Sequence, residues 1–448
     1  MAGSAPLRPN PAIEPREQPR PDPAYKWVLV ATLFFVGLIN YADRTSITAV
    51  YALLKTDLGF TDIGLGAIGS LFLWSYALAS PFAGYVGDRV DRGRVILWSL
   101  TAWSLVTLLT GFVTAKWQLL GMRVFLGLAE SLYLPAAMAV IAEYHPHRTL
   151  ATAQGIHTVG THLGLVVGGA LAGYLGERYG WRVSLTTLGC SGLVLAAAAY
   201  FLLPRRRSSP VAADRKMPMR KPGPSFPTAA LRLVKIPSFL VLALAGLLPS
   251  IGAWIFINWL PLYFRENFDM SLARAGFLGS SILSITSSAS QMVGAVFSDL
   301  VARKGEHYRM LIQAILIFLA GPVLLTFLFT RRLTLILAAL VFYSVLRTCG
   351  DLNIIPLLCN VSGQDKLSTA FGITNMMNNF AGGAGVFVAG VLKAKLSLTG
   401  VFASVTGILI LDSLILFLGY FVFLKKDLQK ASVLVPAADS PAITEEAP

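Results

Sequence analysis

Gly84-Tyr-Val-Gly-Asp88-Arg89-Val-Asp91-Arg92-Gly93-Arg94 has a worn copy of itself much further along the chain, Gly294-Ala-Val-Phe-Ser-Asp299-Leu-Val-Ala-Arg303-Lys304-Gly305. Each stretch closes one apolar run of helix length and opens the next. An acid and a basic cluster at helix ends can bond to neighbouring helix termini on one side of a bundle and release when its halves rock. Gly84, Asp88, Arg89, Arg92 and Arg94 are therefore expected to form a gate. A plain stop-transfer charge cluster accounts for one such loop. Its recurrence six apolar runs later favours a duplicated bundle.

Around these loops lies a chain made for lipid. Of 448 residues 55% are hydrophobic and only 13% charged, with a mean hydropathy of +0.65, too apolar for a protein that must cover itself with polar surface. A helix crossing about 30 Å of hydrocarbon needs roughly 20 apolar residues. Twelve such windows fit, starting near Trp27, Gly64, Val95, Leu119, Ala151, Val183, Phe239, Ala275, Met310, Leu333, Ser368 and Val401. The expected fold is an all-α membrane protein of twelve transmembrane helices in two six-helix pseudo-repeats.

The expected organisation is a disordered tail at 1–26, a six-helix bundle at 27–203, a basic linker at 204–237, a second bundle at 238–424 and a tail at 425–448. The linker holds Arg205, Arg206, Arg207, Arg215, Lys216, Arg220 and Lys221 among prolines, a composition that cannot bury a core. The net charge of +14 is spread over loops, which excludes a nucleic-acid surface. The N-terminal tail, the even-numbered loops and the C-terminal tail carry 24 lysines and arginines against 10 in the odd-numbered loops. By the positive-inside pattern both termini are expected in the cytoplasm of a cell (inner or plasma) membrane.

Cys190, Cys349 and Cys359 lie in apolar segments without metal-ligand spacing and are expected to be small buried packing residues, with no disulfide and no metal. No nucleotide-binding loop or serine elbow occurs in the required context, so neither a cofactor nor an enzyme activity is expected.

Six ionisable side chains fall inside otherwise apolar spans: Asp43, Arg44, Arg123, Glu130, Arg347 and Asp351. Facing lipid, the set would cost about 15–20 kcal/mol, so these groups must face a cavity or one another. Arg123 and Glu130, seven residues apart, lie within about 20° of one helix face and about 10 Å apart along it. That suits a cation contacting an anionic substrate and an acid elsewhere in the same cavity, with Asp43 and Arg44 approaching from the first span. A buried structural ion pair is the competing reading for each. Arg347 and Asp351 are spaced i,i+4 and close enough to neutralise each other, which makes them second-tier candidates beside Asn375.

The loop after the second span resembles the signature of the major facilitator superfamily, with Asp91 and Arg92 where one Gly is usual. Asn40-Tyr41-Ala42-Asp43-Arg44, Trp74-Ser75-Tyr76, Trp98-Ser99-Leu100-Thr101-Ala102-Trp103-Ser104, Arg123 with Glu130-Ser131, Tyr179-Gly180-Trp181-Arg182 and Asn258-Trp259-Leu260-Pro261 resemble the anion:cation symporter family, sugar-acid carriers in particular. The resemblance covers roughly 26–425. It implies the major facilitator fold, with Asp43 and Glu130 in proton coupling and Arg44 and Arg123 on the anion.

Desolvation and a neighbouring arginine pull a carboxylate in opposite directions, so it can titrate near working pH. An anion that draws Arg44 or Arg123 from its acid leaves that acid readier to take a proton, which links the two ligands. Tyr76, His157 and Asn379 are the expected hydrogen-bonding partners of the substrate. The serines Ser280, Ser284, Ser287 and Ser288 with Gln291 form a stripe on the eighth span that reads as helix packing. The expected function is proton-coupled symport of a small organic anion through a chain that works as a monomer. A spinster-like lipid transporter, with its own Asp-Arg pair on the first helix, and a non-transporting membrane sensor are the alternatives.

Overall fold

The computed structural model describes residues 24–203, 226–362, 367–424 and 427; at 84–89, 147, 226–227, 229 and 367–368 it describes the backbone alone. Ten described segments are long and apolar enough to cross a membrane. The last, Thr369–Leu424, is two spans, because Ser397 at φ 54 breaks the helix between them. Leu272–Ala302, 31 residues long, adds another; its serines keep its hydropathy low without shortening it. The total is twelve.

In chain order the first half comprises span 1 (Tyr25–Ala49), span 2 (Asp62–Arg89), span 3 (Arg92–Thr110), span 4 (Lys116–Tyr144), span 5 (His147–Tyr179) and span 6 (Trp181–Leu202). The second comprises span 7 (Pro237–Phe268), span 8 (Leu272–Ala302), span 9 (Tyr308–Phe329), span 10 (Leu333–Ser362), span 11 (367–396) and span 12 (398–424). Within the expected linker the described part, Phe226–Val234, is a short helix that buries Leu233. Residues 204–225 and most of 425–448 lie outside the described residues. Cys190, expected to be buried, is exposed on the outside of span 6, where an apolar thiol costs nothing against lipid; Cys349 and Cys359 are half-buried.

Apolar burial cannot hold helices together in lipid, so close backbone contact must. Span 5 provides it on two faces. Gly160, Gly164 and Gly168, one turn apart, meet span 1: a Cβ on Gly164 would lie 2.2 Å from the Leu38 carbonyl oxygen and one on Gly168 2.3 Å from that of Ala42. On its other face Gly169 meets span 8, where a Cβ on Gly276 would lie 2.2 Å from the Gly169 oxygen. The halves join where span 5 packs on span 8 and span 2 on span 11.

The bonds joining the halves gather toward the end of the bundle opposite the chain termini. Lys393 of span 11 reaches Asp62 of span 2 at 2.9 Å and Glu266 of span 7 at 2.7 Å, while Lys55, after span 1, reaches Asp62 at 2.9 Å and Glu266 at 3.5 Å. Deeper in, Tyr51 donates to Asn258, Ser70 to the Gly383 carbonyl and Trp74 to the Phe380 carbonyl. The far end is closed.

Candidate functional site

Four of the predicted charges come together inside the first half. Asp43 and Arg44 of span 1 and Arg123 and Glu130 of span 4 are all at most 7% exposed. Arg44 Nε donates to Glu130 Oε2 at 2.9 Å, and its Nη2 approaches Asn40 Oδ1 at 3.5 Å. Glu130 Oε1 has no hydrogen-bond partner among the described residues. Asp43 takes one bond, from the Thr107 hydroxyl of span 3 at 3.1 Å, and its Oδ1 is unpartnered. Arg123 forms no ion pair among the described residues; its Nε donates to the Ile68 carbonyl of span 2 at 3.3 Å.

Both cations lie against Phe72. The Arg123 guanidinium lies 4.9 Å from its ring centre and that of Arg44 5.2 Å, with Tyr41 and Tyr76 at 4.4 and 5.1 Å from Arg44. A ring face attracts cations, so Phe72 tolerates two guanidinium groups that bare contact would drive apart. The group of two acids and two arginines sums to zero charge, and its members act on each other electrostatically. Three members are left unsaturated among the described residues: Asp43 and Glu130, each with one oxygen free, and Arg123 without a counter-ion.

The other predicted residues are elsewhere. His157 is fully buried, its Nε2 2.8 Å from the Tyr133 hydroxyl, which donates to the Leu33 carbonyl. This triad ties spans 1, 4 and 5 together, and its His157 hydrogen bond goes to Tyr133 and to none of the charges. Asn379 donates to Asn375 Oδ1 at 3.0 Å on span 11. Arg347 and Asp351 pair at 2.8 Å on span 10 and, with Ser250, Asn375 and Asn378, line a cavity of about 300 Å³ inside the second half. Span 10 breaks just after them, and Asn353 covers the break by donating to the Cys349 and Gly350 carbonyls, both at 3.1 Å.

Of the residues expected to form a gate, Arg92 pairs with Glu143 at the end of span 4, and Arg94 donates its backbone N–H at 3.0 Å to Asp91, the N-cap of span 3. At Gly84, Asp88 and Arg89 the backbone alone is described, so the expected roles of the Asp88 and Arg89 side chains lie outside the described structure. In the worn copy Asp299 reaches across to Arg309 of span 9 at 3.2 Å.

Phe72, Thr107 and Tyr133 were not among the predicted residues. Phe72 lies one helical turn before Tyr76, a spacing that points to it. Asp412 makes a seventh charge inside a span, and the signal was plain: it is the sole charged residue between Leu398 and Leu424.

Residues 33–386 match the family model described as Major Facilitator Superfamily. The chain belongs to that superfamily. It is a secondary transporter and a multi-pass membrane protein, not an enzyme. Within the superfamily it is similar to the "Probable galactarate/D-glucarate transporter GarP" of Escherichia coli (strain K12), 25% identical over 398 residues, with 83% of this chain and 89% of that protein covered. It is also similar to the "Probable anion transporter 3, chloroplastic" of Arabidopsis thaliana, 28% identical, covering 79% of this chain and 71% of that one. "Protein spinster homolog 1" of Xenopus tropicalis is 27% identical over 53% of this chain and 46% of its own length. Among solved structures, a bacterial homolog to the human lysosomal transporter Spinster, inward-facing and unoccupied, superposes with a TM-score of 0.75 at 18% identity, covering 91% of this chain and 98% of that one. At that identity the likeness is one of fold.

Proposed function

We propose that this transporter carries a small organic anion of the sugar-acid class together with a proton by alternating access, as a monomer in a cell membrane with both termini cytoplasmic. With that orientation the closed far end makes the structure inward-facing. The observation that carries the reading is the Arg44–Glu130 ion pair inside a group of zero net charge, beside Arg123 without a counter-ion.

A carboxylate entering this group adds one negative charge to a buried site. Arg123, bonded only to a backbone carbonyl, is the cation free to receive it. The added charge is balanced when Asp43 or Glu130 takes a proton, so each ligand favours binding of the other. If the anion instead draws Arg44 off Glu130, the same acid is left without its partner and proton uptake again follows. Asp43 and Glu130 are the proton-coupling acids in this reading, Arg123 and Arg44 the anion contacts, and Tyr76 a flanking hydrogen-bond donor. The names of the E. coli and Arabidopsis relatives support an anionic cargo.

The test is uptake of radiolabelled galactarate, glucarate and related sugar acids into proteoliposomes with and without an inward proton gradient. Gradient-driven accumulation that Arg123→Ala abolishes and Glu130→Gln uncouples from the gradient is the expected result. A lipid cargo is the second reading, favoured by the similarity to the Xenopus spinster homolog. Transfer of labelled lipid with no sugar-acid uptake would decide for it.

A further inference from the structure

The second half holds a buried acid that the proposed transport cycle does not use. Asp412, near the middle of span 12, is 0% exposed and neither carboxylate oxygen has a hydrogen-bond partner among the described residues. The neighbouring residue Ser413 donates to the Ala314 carbonyl of span 9 at 2.8 Å, which seats the two helices against each other at this level. Ala314 is in turn preceded by Gln313, also 0% exposed, whose amide oxygen and nitrogen are both without partners. Asp412 and Gln313 thus each lie one residue from the bond that joins spans 12 and 9, and no hydrogen bond links their side chains.

The charges around Asp412 do not neutralise it. On span 10 Asp351 lies close enough to act on it electrostatically, and Arg347 is already paired with Asp351 at 2.8 Å. Tyr343, on the same helix, is fully buried with no hydrogen bond at its hydroxyl. On span 9 the one charged residue, Arg309, is held by Asp299, Glu306 and Ser298. Span 7 carries no charge before Arg265, and span 11 brings only Lys393 and Lys395 near the far end. An ionised Asp412 would be an uncompensated anion in a dry interior, which proteins avoid by neutralising the group.

We propose that Asp412 holds an exchangeable proton, a second proton-binding site in the half of the transporter opposite the Asp43–Glu130 group. A protonated carboxyl is neutral, which removes the cost of an uncompensated anion at this depth. The route to solvent runs through the Arg347–Asp351 pair: both side chains are about a quarter exposed and line the cavity beside the site. Asp351, with one oxygen unpartnered, is the relay between cavity and Asp412. The site does not rest on the symport reading, since it concerns the protein without cargo.

Infrared difference spectroscopy of the purified protein in lipid nanodiscs, stepped in pH without any sugar acid present, tests this. The wild type is expected to show a protonated-carboxyl band that Asp412→Asn removes, that Asp412→Glu moves in frequency, and that Asp43→Asn and Glu130→Gln leave in place. Asp412→Glu keeps the acid and so guards against a folding defect in the amide variant. Asp351→Asn is expected to slow exchange of the band into deuterated buffer. A spectrum identical in wild type and Asp412→Asn overturns the proposal. So does stabilisation by sodium chloride over choline chloride in the wild type that Asp412→Asn abolishes, which would make this a sodium site.

Discussion

Lys393 Nζ lies 2.9 Å from Asp62 Oδ1, a bond that ties span 11 of the second half to the first residue of span 2 of the first. Lys55 and Glu266 complete an alternating ring with them, so each acid sits between two amines. Lys393 is the least exposed of the four side chains, at 8%, and solvent screens it least. Lys393→Ala leaves both acids short of a cation and weakens closure of the far end. Expected is a change of about 1 kcal/mol, or about fivefold in the ratio of the two conformations, toward the state open at that end. Spin labels near Lys55 and Glu266 would report it as a longer distance population.

Gly276→Ala acts on the same closure by a different force. Its methyl group would lie 2.2 Å from the Gly169 carbonyl oxygen, and neither backbone can yield without moving its helix. Spans 5 and 8 must separate near the far end. Distance measurements across that interface should lengthen, while Gly155→Ala, with nothing within 4 Å of its added methyl, leaves them unchanged.

Removing Arg44 strands Glu130 in the interior without its partner. Breaking one side of a buried pair costs about 3–5 kcal/mol, whereas replacing both members by apolar residues is often neutral. Arg44→Leu should therefore lower the thermal unfolding temperature sharply, and Arg44→Leu with Glu130→Leu should recover most of it. Both measurements use purified protein in detergent. Equal loss in the single and double variants would show that Arg44 contributes by packing on Tyr41 and Phe72 instead.

At the far end Asp57 accepts a hydrogen bond from Trp181 Nε1 at 2.7 Å and pairs with Arg182, which together hold its carboxyl below the usual carboxylate range. A depressed acid stabilises the fold while it is charged, above its unfolded value of about 4, and loses that contribution as pH falls through its folded value. Asp57→Asn should lower the unfolding temperature at pH 7, with the gap from wild type closing below about pH 4. A gap of constant size down to pH 3 would assign the loss to packing.

Much of this was legible in the chain, for physical reasons that differ from place to place. The spans follow from runs of apolar residues, and the duplication of the two halves shows in the repetition of the loop after span 2 at Asp299. That Asp43, Arg44, Arg123 and Glu130 share a site follows from the cost of leaving any of them in lipid. Which acid takes Arg44 does not follow. Asp43 is its neighbour in sequence, but adjacent helical residues point about 100° apart, and the partner comes from span 4 through tertiary packing. His157 reads as a cavity residue because histidine is polar; only the structure shows its Nε2 taken by Tyr133, with Nδ1 left unpartnered among the described residues. The far-end ring was hidden because its members sit on four segments whose closeness depends on the conformation adopted.

The glycine faces of span 5 bear on how the halves can move. With a carbonyl of span 1 against one face and the backbone of span 8 against the other, span 5 is in bare contact on both sides. Side chains between helices act as a compliant cushion that absorbs small displacements by changing rotamer. Span 5 has no such cushion along these lines. It therefore works as a stiff bearing: span 8 must roll or pivot over it, and play cannot be taken up in the joint. Rocking of the second half is then passed to span 1, and so to Asp43 and Arg44, with little lost on the way.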